Sequence, residues 1–281
     1  MKRNILKAAF FIACISLFSC SSDDSGTSIS DFINTPNTQT ASRVTAIKHS
    51  GYFDRVFDWT FKYSNSGLKE AKRTVQKGDA TQTTGDEISY SLAYGSKEIK
   101  IKSTDKPITV KVKSDGLLET FECGNTKNAY YYSDGRLIGY DSKFTLSGAA
   151  DNVVKGARSI IEWENGNIKS IEYTPSTDAE NKKFTYTFEY YDDQKNANGI
   201  MPELVSAAMG CEGVEFLYYS GLLGKGTENL VKTITVTHST DESLNNLYTF
   251  YYRTENGNIV FSNYQSEMAE GGQPVVITYK Y

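Results

Sequence analysis

"YYYSDGRLIGY" (residues 130–140), "IEWENGNIKSIEY" (161–173) and "YYRTENGNIVF" (251–261) are variants of one unit. In each, an aromatic strand runs into Asp-Gly or Asn-Gly, and a second strand starts on an aliphatic residue. Asp-Gly and Asn-Gly accept the positive φ that two-residue hairpin turns demand, so each unit reads as a β-hairpin. Related turn chemistry sits at Ser64-Asn65-Ser66-Gly67 and Ser114-Asp115-Gly116. Between the turns the chain alternates with period two: Phe57, Trp59, Phe61 and Tyr63 against Asp58, Thr60, Lys62 and Ser64. The same alternation returns in Ile108/Val110/Val112, Phe184/Tyr186/Phe188/Tyr190 and Ile234/Val236. Side chains two apart share one face of a strand, so these segments are half-buried strands. Consecutive hairpins give an all-β antiparallel meander, which closes into a barrel or stacks on itself to protect its edges. One region breaks the rhythm. In "IMPELVSAAMG" (200–210), Pro202 and Gly210 frame one short helix near 202–209.

The N-terminus carries an address. Lys2, Arg3 and Lys7 precede an apolar run from Ala8 to Phe18, too short to span a bilayer, which takes about 20 residues. Leu17-Phe18-Ser19-Cys20 resembles a bacterial lipobox, with Phe18 in place of the usual small residue. Ser21, Ser22, Asp23 and Asp24 resemble the acidic export signal of surface lipoproteins in Bacteroides-type bacteria. The expected organisation is a lipoprotein signal peptide (1–19), an acylated Cys20 with a flexible polar tether (20–42) and one β-hairpin-repeat domain (43–281). The membrane partner of such a chain is the outer membrane, reached through the lipid on Cys20.

The lipobox with its acidic follow-on, the aromatic-turn-aliphatic hairpins and "YYSGLLGKGTENLVK" (218–232) together resemble a Bacteroides-type surface lipoprotein family with a porin-like β-barrel fold. The resemblance implies a barrel-like fold and an unassigned activity. It brings no catalytic or ligand residues. More distantly, the hairpins resemble the tyrosine-rich repeats of secreted toxin shells.

Composition narrows the chemistry. A formal charge of −4 with no basic stripe argues against nucleic acid. Once Cys14 leaves with the signal and Cys20 carries lipid, only Cys123 and Cys211 remain. Export permits a disulfide between them, and two separate thiols fit equally well; a multi-thiolate zinc site is excluded. The two histidines, His49 and His238, lack metal-ligand spacing and read as surface or strand-end residues. "GLLGKGT" (221–227) lacks the Walker spacing, and no calcium loop occurs, so no cofactor is implied. Glu162 and Glu164 flank Trp163 roughly 7 Å apart by the strand rise, a spacing inverting glycosidases use. Lys169, just across the turn, makes a solvated ion pair the better reading of them.

The aromatics remain. Of twenty tyrosines, most alternate strictly and belong to a packed face. Tyr131, Tyr191, Tyr219 and Tyr251 are off-phase and are the candidates for an exposed, ligand-stacking surface. The expected function is non-enzymatic binding of glycan or protein at the cell surface. The alternative is an outer-membrane barrel, suggested by the in-phase Val275, Ile277, Tyr279 and Tyr281 at the C-terminus. A glycosidase built on Glu162 and Glu164 ranks below both.

Overall fold

The computed structural model describes residues 42–50, 52–79, 83–95, 98–145, 153–175, 182–267 and 274–281. The signal peptide, Cys20 and the Ser21–Asp24 export signal lie outside these residues. Sixteen antiparallel strands form one nearly closed barrel-shaped sheet. In chain order they are β1 (Ala46–Ser50), β2 (Tyr52–Ser64), β3 (Gly67–Asp79), β4 (Thr83–Tyr94), β5 (Ile99–Ser103), β6 (Ile108–Val112), β7 (Leu118–Cys123) and β8 (Thr126–Ser133). There follow β9 (Arg136–Thr145), β10 (Val153–Glu164), β11 (Asn167–Thr174), β12 (Phe184–Lys195), β13 (Asn229–His238), β14 (Asn246–Glu255), β15 (Asn258–Ser266) and β16 (Val275–Lys280).

Every strand but β5 and β6 pairs with the strands before and after it, and β1 pairs with β16, so the chain ends meet inside the sheet. The open seam lies instead between β5 and β6, two five-residue strands. Lys100, Lys102 and Lys111 are exposed on these edges and Pro107 joins them. Short edges, outward lysines and a proline discourage the pairing of another chain.

The repeated hairpin has a definite geometry. Asp134-Gly135, Asn165-Gly166 and Asn256-Gly257 hold positive φ at both positions, the primed turn that suits the twist of the flanking strands. Beyond each turn the returning strand carries one extra residue: Ile138, Lys169 and Val260. Lys69 and Glu119 are the extra residues in β3 and β7. Such bulges bend a sheet and shift side-chain phase. The aliphatic residue just before each bulge, Leu68, Leu118, Leu137, Ile168 or Ile259, is almost wholly buried. Three of their carbonyls accept a hydrogen bond from an aromatic side chain of a neighbouring strand or chain end. Trp163 Nε1 donates to Leu137 (2.7 Å), Tyr190 to Ile168 (2.8 Å) and Tyr281 to Ile259 (2.7 Å). The motif thus ties each hairpin to the next through a polar aromatic tip.

The alternating faces have opposite chemistry. Inward side chains such as Phe57, Trp59, Phe61, Ile171, Ile234 and Phe250 make one core. The outward face carries cross-strand ion pairs: Lys62–Glu70 (2.7 Å), Lys72–Glu87, Lys127–Glu122 (3.4 Å) and Lys169–Glu164 (3.4 Å).

A barrel of sixteen strands is too wide for wall side chains alone to fill. The chain supplies the remainder from residues 196–228, between β12 and β13, which lie inside as a plug. Ile200, Met201, Val205, Met209, Phe216, Leu217, Leu222 and Leu223 are all buried. The expected helix near 202–209 is a 3-10 turn, Glu203–Val205, after Pro202. The α-helix of the plug, α1 (Phe216–Tyr219), is a single turn further on. Gly210 and Gly213, both at φ +71, break the chain between them; a Cβ at Gly210 would stand 2.7 Å from the Tyr140 ring.

Candidate functional site

The plug's irregular backbone leaves carbonyls that no ladder satisfies, and buried carbonyls need donors. Wall side chains provide them. Tyr130 donates to Gly210 O (2.7 Å), Tyr140 to Ala207 O (2.8 Å) and Tyr132 to Leu222 O (3.2 Å). Asn128 joins Tyr130 on Gly210 O, and Arg73 donates to Gly213 O. This accounts for tyrosine rather than phenylalanine at many inward positions. At the rim of tight turns the plug is fastened where it begins and ends. Asn198 bonds Ser42 O and Asn258 Oδ1 (both 3.0 Å), Lys225 N bonds Gly135 O (2.9 Å), and Glu228 N bonds Asn167 Oδ1 (2.9 Å).

One charged cluster joins plug and wall. His49 of β1 is buried with both ring nitrogens engaged: Nδ1 lies 3.1 Å from Asp58 Oδ1 of β2, and Nε2 lies 2.9 Å from Glu203 Oε2 of the plug. Burial alone would lower the imidazole pKa; the Glu203 charge, with the Asp58 contacts, reverses that and raises it from 6.5 to about 9. His49 is therefore an imidazolium at neutral pH, clamped between two carboxylates. The pairing depends on tertiary structure, since a buried charge without a partner is expensive.

Glu215, just before α1, faces the same space. Its Oε1 accepts from Gly213 N–H (2.8 Å), while Oε2 is buried without a hydrogen-bond partner. Burial, helped by the Glu203 charge, pushes its pKa from 4.5 to about 8, so the group is protonated at pH 7. A cavity of ≈ 20 Å³ separates these residues and is lined also by Trp59, Tyr219 and Tyr279. That volume holds one water, and Trp59 Nε1, itself without a partner, offers a donor to it. Among the described residues no group of three or more His, Cys, Asp or Glu side chains is arranged to hold a metal ion.

The sequence candidates scatter. Tyr131 and Tyr251 are exposed on the outer wall, as their phase predicts. They stand on β8 and β14, six strands apart, or roughly 29 Å along the wall at the usual strand spacing. Tyr191 is half-buried: its hydroxyl donates to Phe250 O (2.8 Å) and its ring stands edge-on to Tyr252 at 6.3 Å. Tyr219 is a correction. It lies in α1 inside the barrel, its ring 5.2 Å from Phe61 and 5.4 Å from Tyr218. Strand parity has no meaning in a helical turn, so its apparent off-phase position carried no information.

Cys123 and Cys211 are free thiols, one on β7 and one in the plug, so the disulfide alternative gives way to two separate cysteines. Cys211 packs against Met201 Sδ (3.9 Å). Glu162 and Glu164 are outward and engaged by Ser170 (3.2 Å) and Lys169 (3.4 Å). Both histidines lie near strand ends but neither is at the surface: His238 is buried with its ring 4.6 Å from Phe184. The Glu203–His49 pairing joins residues 154 positions apart, and no local spacing announces it.

No protein-family model matches the chain, and no curated protein matches its sequence. Among solved structures it is similar to a porin-like protein from Bacteroides uniformis ATCC 8492, with 13% identity and a TM-score of 0.64. That likeness covers 85% of this chain and 98% of the other. A porin-like protein from Bacteroides vulgatus ATCC 8482 matches at 13% identity and TM-score 0.37, covering 86% and 99%. The fold is therefore a porin-like β-barrel, here with a core of its own chain inside it.

Proposed function

We propose that the chain is an outer-membrane lipoprotein whose plugged barrel stands in water, tethered through an acyl group on Cys20, and binds a glycan or protein ligand without catalysis. The observation that carries this reading is the polarity of the two faces. A membrane barrel presents an apolar band about 25 Å tall to lipid, and a lysine or arginine at its mid-plane costs about 2–4 kcal/mol. Here the outward face bears Lys62, Lys72, Lys100, Lys102, Lys111, Lys127 and Lys169, several paired across strands with glutamates. Exposed large hydrophobics among the described residues are few: Tyr131, Ile138 and Ile160 gather around Gly139 on β8–β10, and the others are Leu244 and Tyr251. The inward face is packed against residues 196–228, which favours binding over conduction. The porin-like likeness supports an outer-membrane address, and the lipobox and Ser21–Asp24 signal support anchoring at the surface.

Ser42 lies at the rim of tight turns, held by Asn198 and Asn258. The described chain therefore begins at the end of the barrel where the plug is fastened. The test is a Cys20→Ala variant expressed beside the native chain. On this reading the native chain incorporates an alkyne-tagged fatty acid and stays with membranes, while the variant does neither and is soluble without detergent. A variant that remains membrane-bound until detergent is added would establish the embedded barrel instead.

A further inference from the structure

Several inward rings of the wall are only partly buried. On the side away from the tight turns, Tyr173 of β11, Phe184 of β12 and His238 of β13 stand in one cross-strand row. One row deeper, Tyr186 lies between Ile171 and Val236, both buried in the core, so it too faces inward. Tyr248 of β14 pairs with the buried Ile234, and Tyr264 of β15 pairs with the buried Phe250, which turns both rings into the barrel. The Tyr248 and Tyr264 rings are 6.1 Å apart and nearly perpendicular. Yet Tyr173, Phe184, Tyr186, Tyr248 and Tyr264 all remain partly exposed. Inward phase combined with exposure means a surface that the core has not closed.

Glu212 supplies the floor. It is exposed although Cys211 and Gly213 on either side are buried. Burial suppresses the ionisation of the Tyr173 and Tyr186 hydroxyls, and the Glu212 charge adds to this, for Tyr186 after the neighbouring Tyr173 and Tyr248. Arg73 donates to the carbonyl of Gly213, the residue after Glu212, and lies 4.7 Å from the Phe57 ring.

We propose that this aromatic cup, with Glu212 at its base, binds a neutral sugar ring; the assignment rests on the water-facing, ligand-binding reading above. Tyrosine presents an apolar face with a polar tip, which matches a sugar that has a C–H face and a hydroxyl edge. The carboxylate accepts hydrogen bonds from ring hydroxyls. The Arg73 guanidinium, hydrogen-bonded to the backbone next to Glu212, disfavours a cationic ligand, which an aromatic cage over a carboxylate with no cation nearby would select.

The experiment is isothermal titration of the mature chain (residues 20–281, with Cys20→Ser to remove the lipid) with maltohexaose, cellohexaose, xylohexaose, laminarihexaose and chitohexaose, and with tetramethylammonium. Saturable binding of a hexaose is expected, weakened about tenfold or more by Tyr248→Ala and by Glu212→Gln, and unchanged by Tyr251→Ala on the outer wall. Glu212 is exposed, so its variant keeps the fold even where Tyr248→Ala loosens the wall. Three outcomes overturn the cup: no hexaose binds, the two cup variants bind as the native chain does, or only tetramethylammonium binds. Each of these with a detergent-free soluble chain leaves the water-facing barrel standing, whereas a chain that precipitates without detergent overturns that reading and the cup with it.

Discussion

Replacing Glu215 with glutamine tests the interior most directly. Glu215 is 4% exposed, and its Oε2 meets no donor while Oε1 takes the Gly213 N–H. Burial raises its pKa from 4.5 to about 8. Between those values the folded chain holds a proton that the unfolded chain has released. The folded state then binds more protons, so stability falls as pH rises through this window and levels off above pH 8. The span from 4.5 to about 8, at 1.36 kcal/mol per unit, amounts to about 5 kcal/mol. Glutamine has the same shape, offers a donor where the protonated acid does, and does not titrate. Glu215→Gln is therefore expected to match the native chain at pH 4.5 and to exceed it by up to about 5 kcal/mol at pH 8. Urea unfolding followed through Trp59 and Trp163 fluorescence at pH 4.5, 6, 7 and 8 gives the two midpoints at each pH. Other carboxylates titrate in both chains and cancel in the difference. A midpoint difference that stays constant with pH refutes the argument, because it means that folding does not move the Glu215 pKa.

The remaining expectations follow the same interior. His49 has a raised pKa, so its contribution is complete below 6.5 and lost as pH rises to about 9, a change of about 3 kcal/mol. In the Glu215→Gln background, urea midpoints should therefore still fall between pH 6.5 and 9, and a further His49→Gln change should flatten that fall; a fall of equal size in both chains removes His49 as its source. Gly210→Ala puts a Cβ 2.7 Å from the Tyr140 ring at φ +71, whereas Gly199→Ala at φ +62 meets nothing within 4 Å. The first should cost about 1–3 kcal/mol more than the second in thermal or urea unfolding, and equal losses would show that the plug yields freely there. Cys211 is buried with its thiol pKa pushed well above 9, while Cys123 is half-exposed. In the mature chain (residues 20–281) with Cys20→Ser, iodoacetamide at pH 8 should label Cys123 alone until urea exposes Cys211; a native mass two hydrogens lighter that reduction restores would instead show a disulfide.

Local chemistry determined the hairpins. Asp134-Gly135, Asn165-Gly166 and Asn256-Gly257 adopt the positive φ that only such pairs accept at low cost, and period-two alternation chose which face turned inward. These are properties of neighbours in the chain, so a sequence displays them. The same alternation exposed Tyr131 and Tyr251, for the same reason. It did not separate a water-facing wall from a lipid-facing one, because alternation is symmetric to inversion. Only the tertiary structure shows residues 196–228 filling the interior and the lysines on the outer face, the observation behind the water-facing proposal. The plug itself was hard to read: its glycines, single helical turn and mixed apolar residues have no period, since it is held by wall tyrosines rather than by ladders. His49–Glu203 and the proposed cup at Glu212 arise where the barrel wall meets the plug. Their chemistry is set by burial and by partners across the barrel, and neither exists until the sheet curls round.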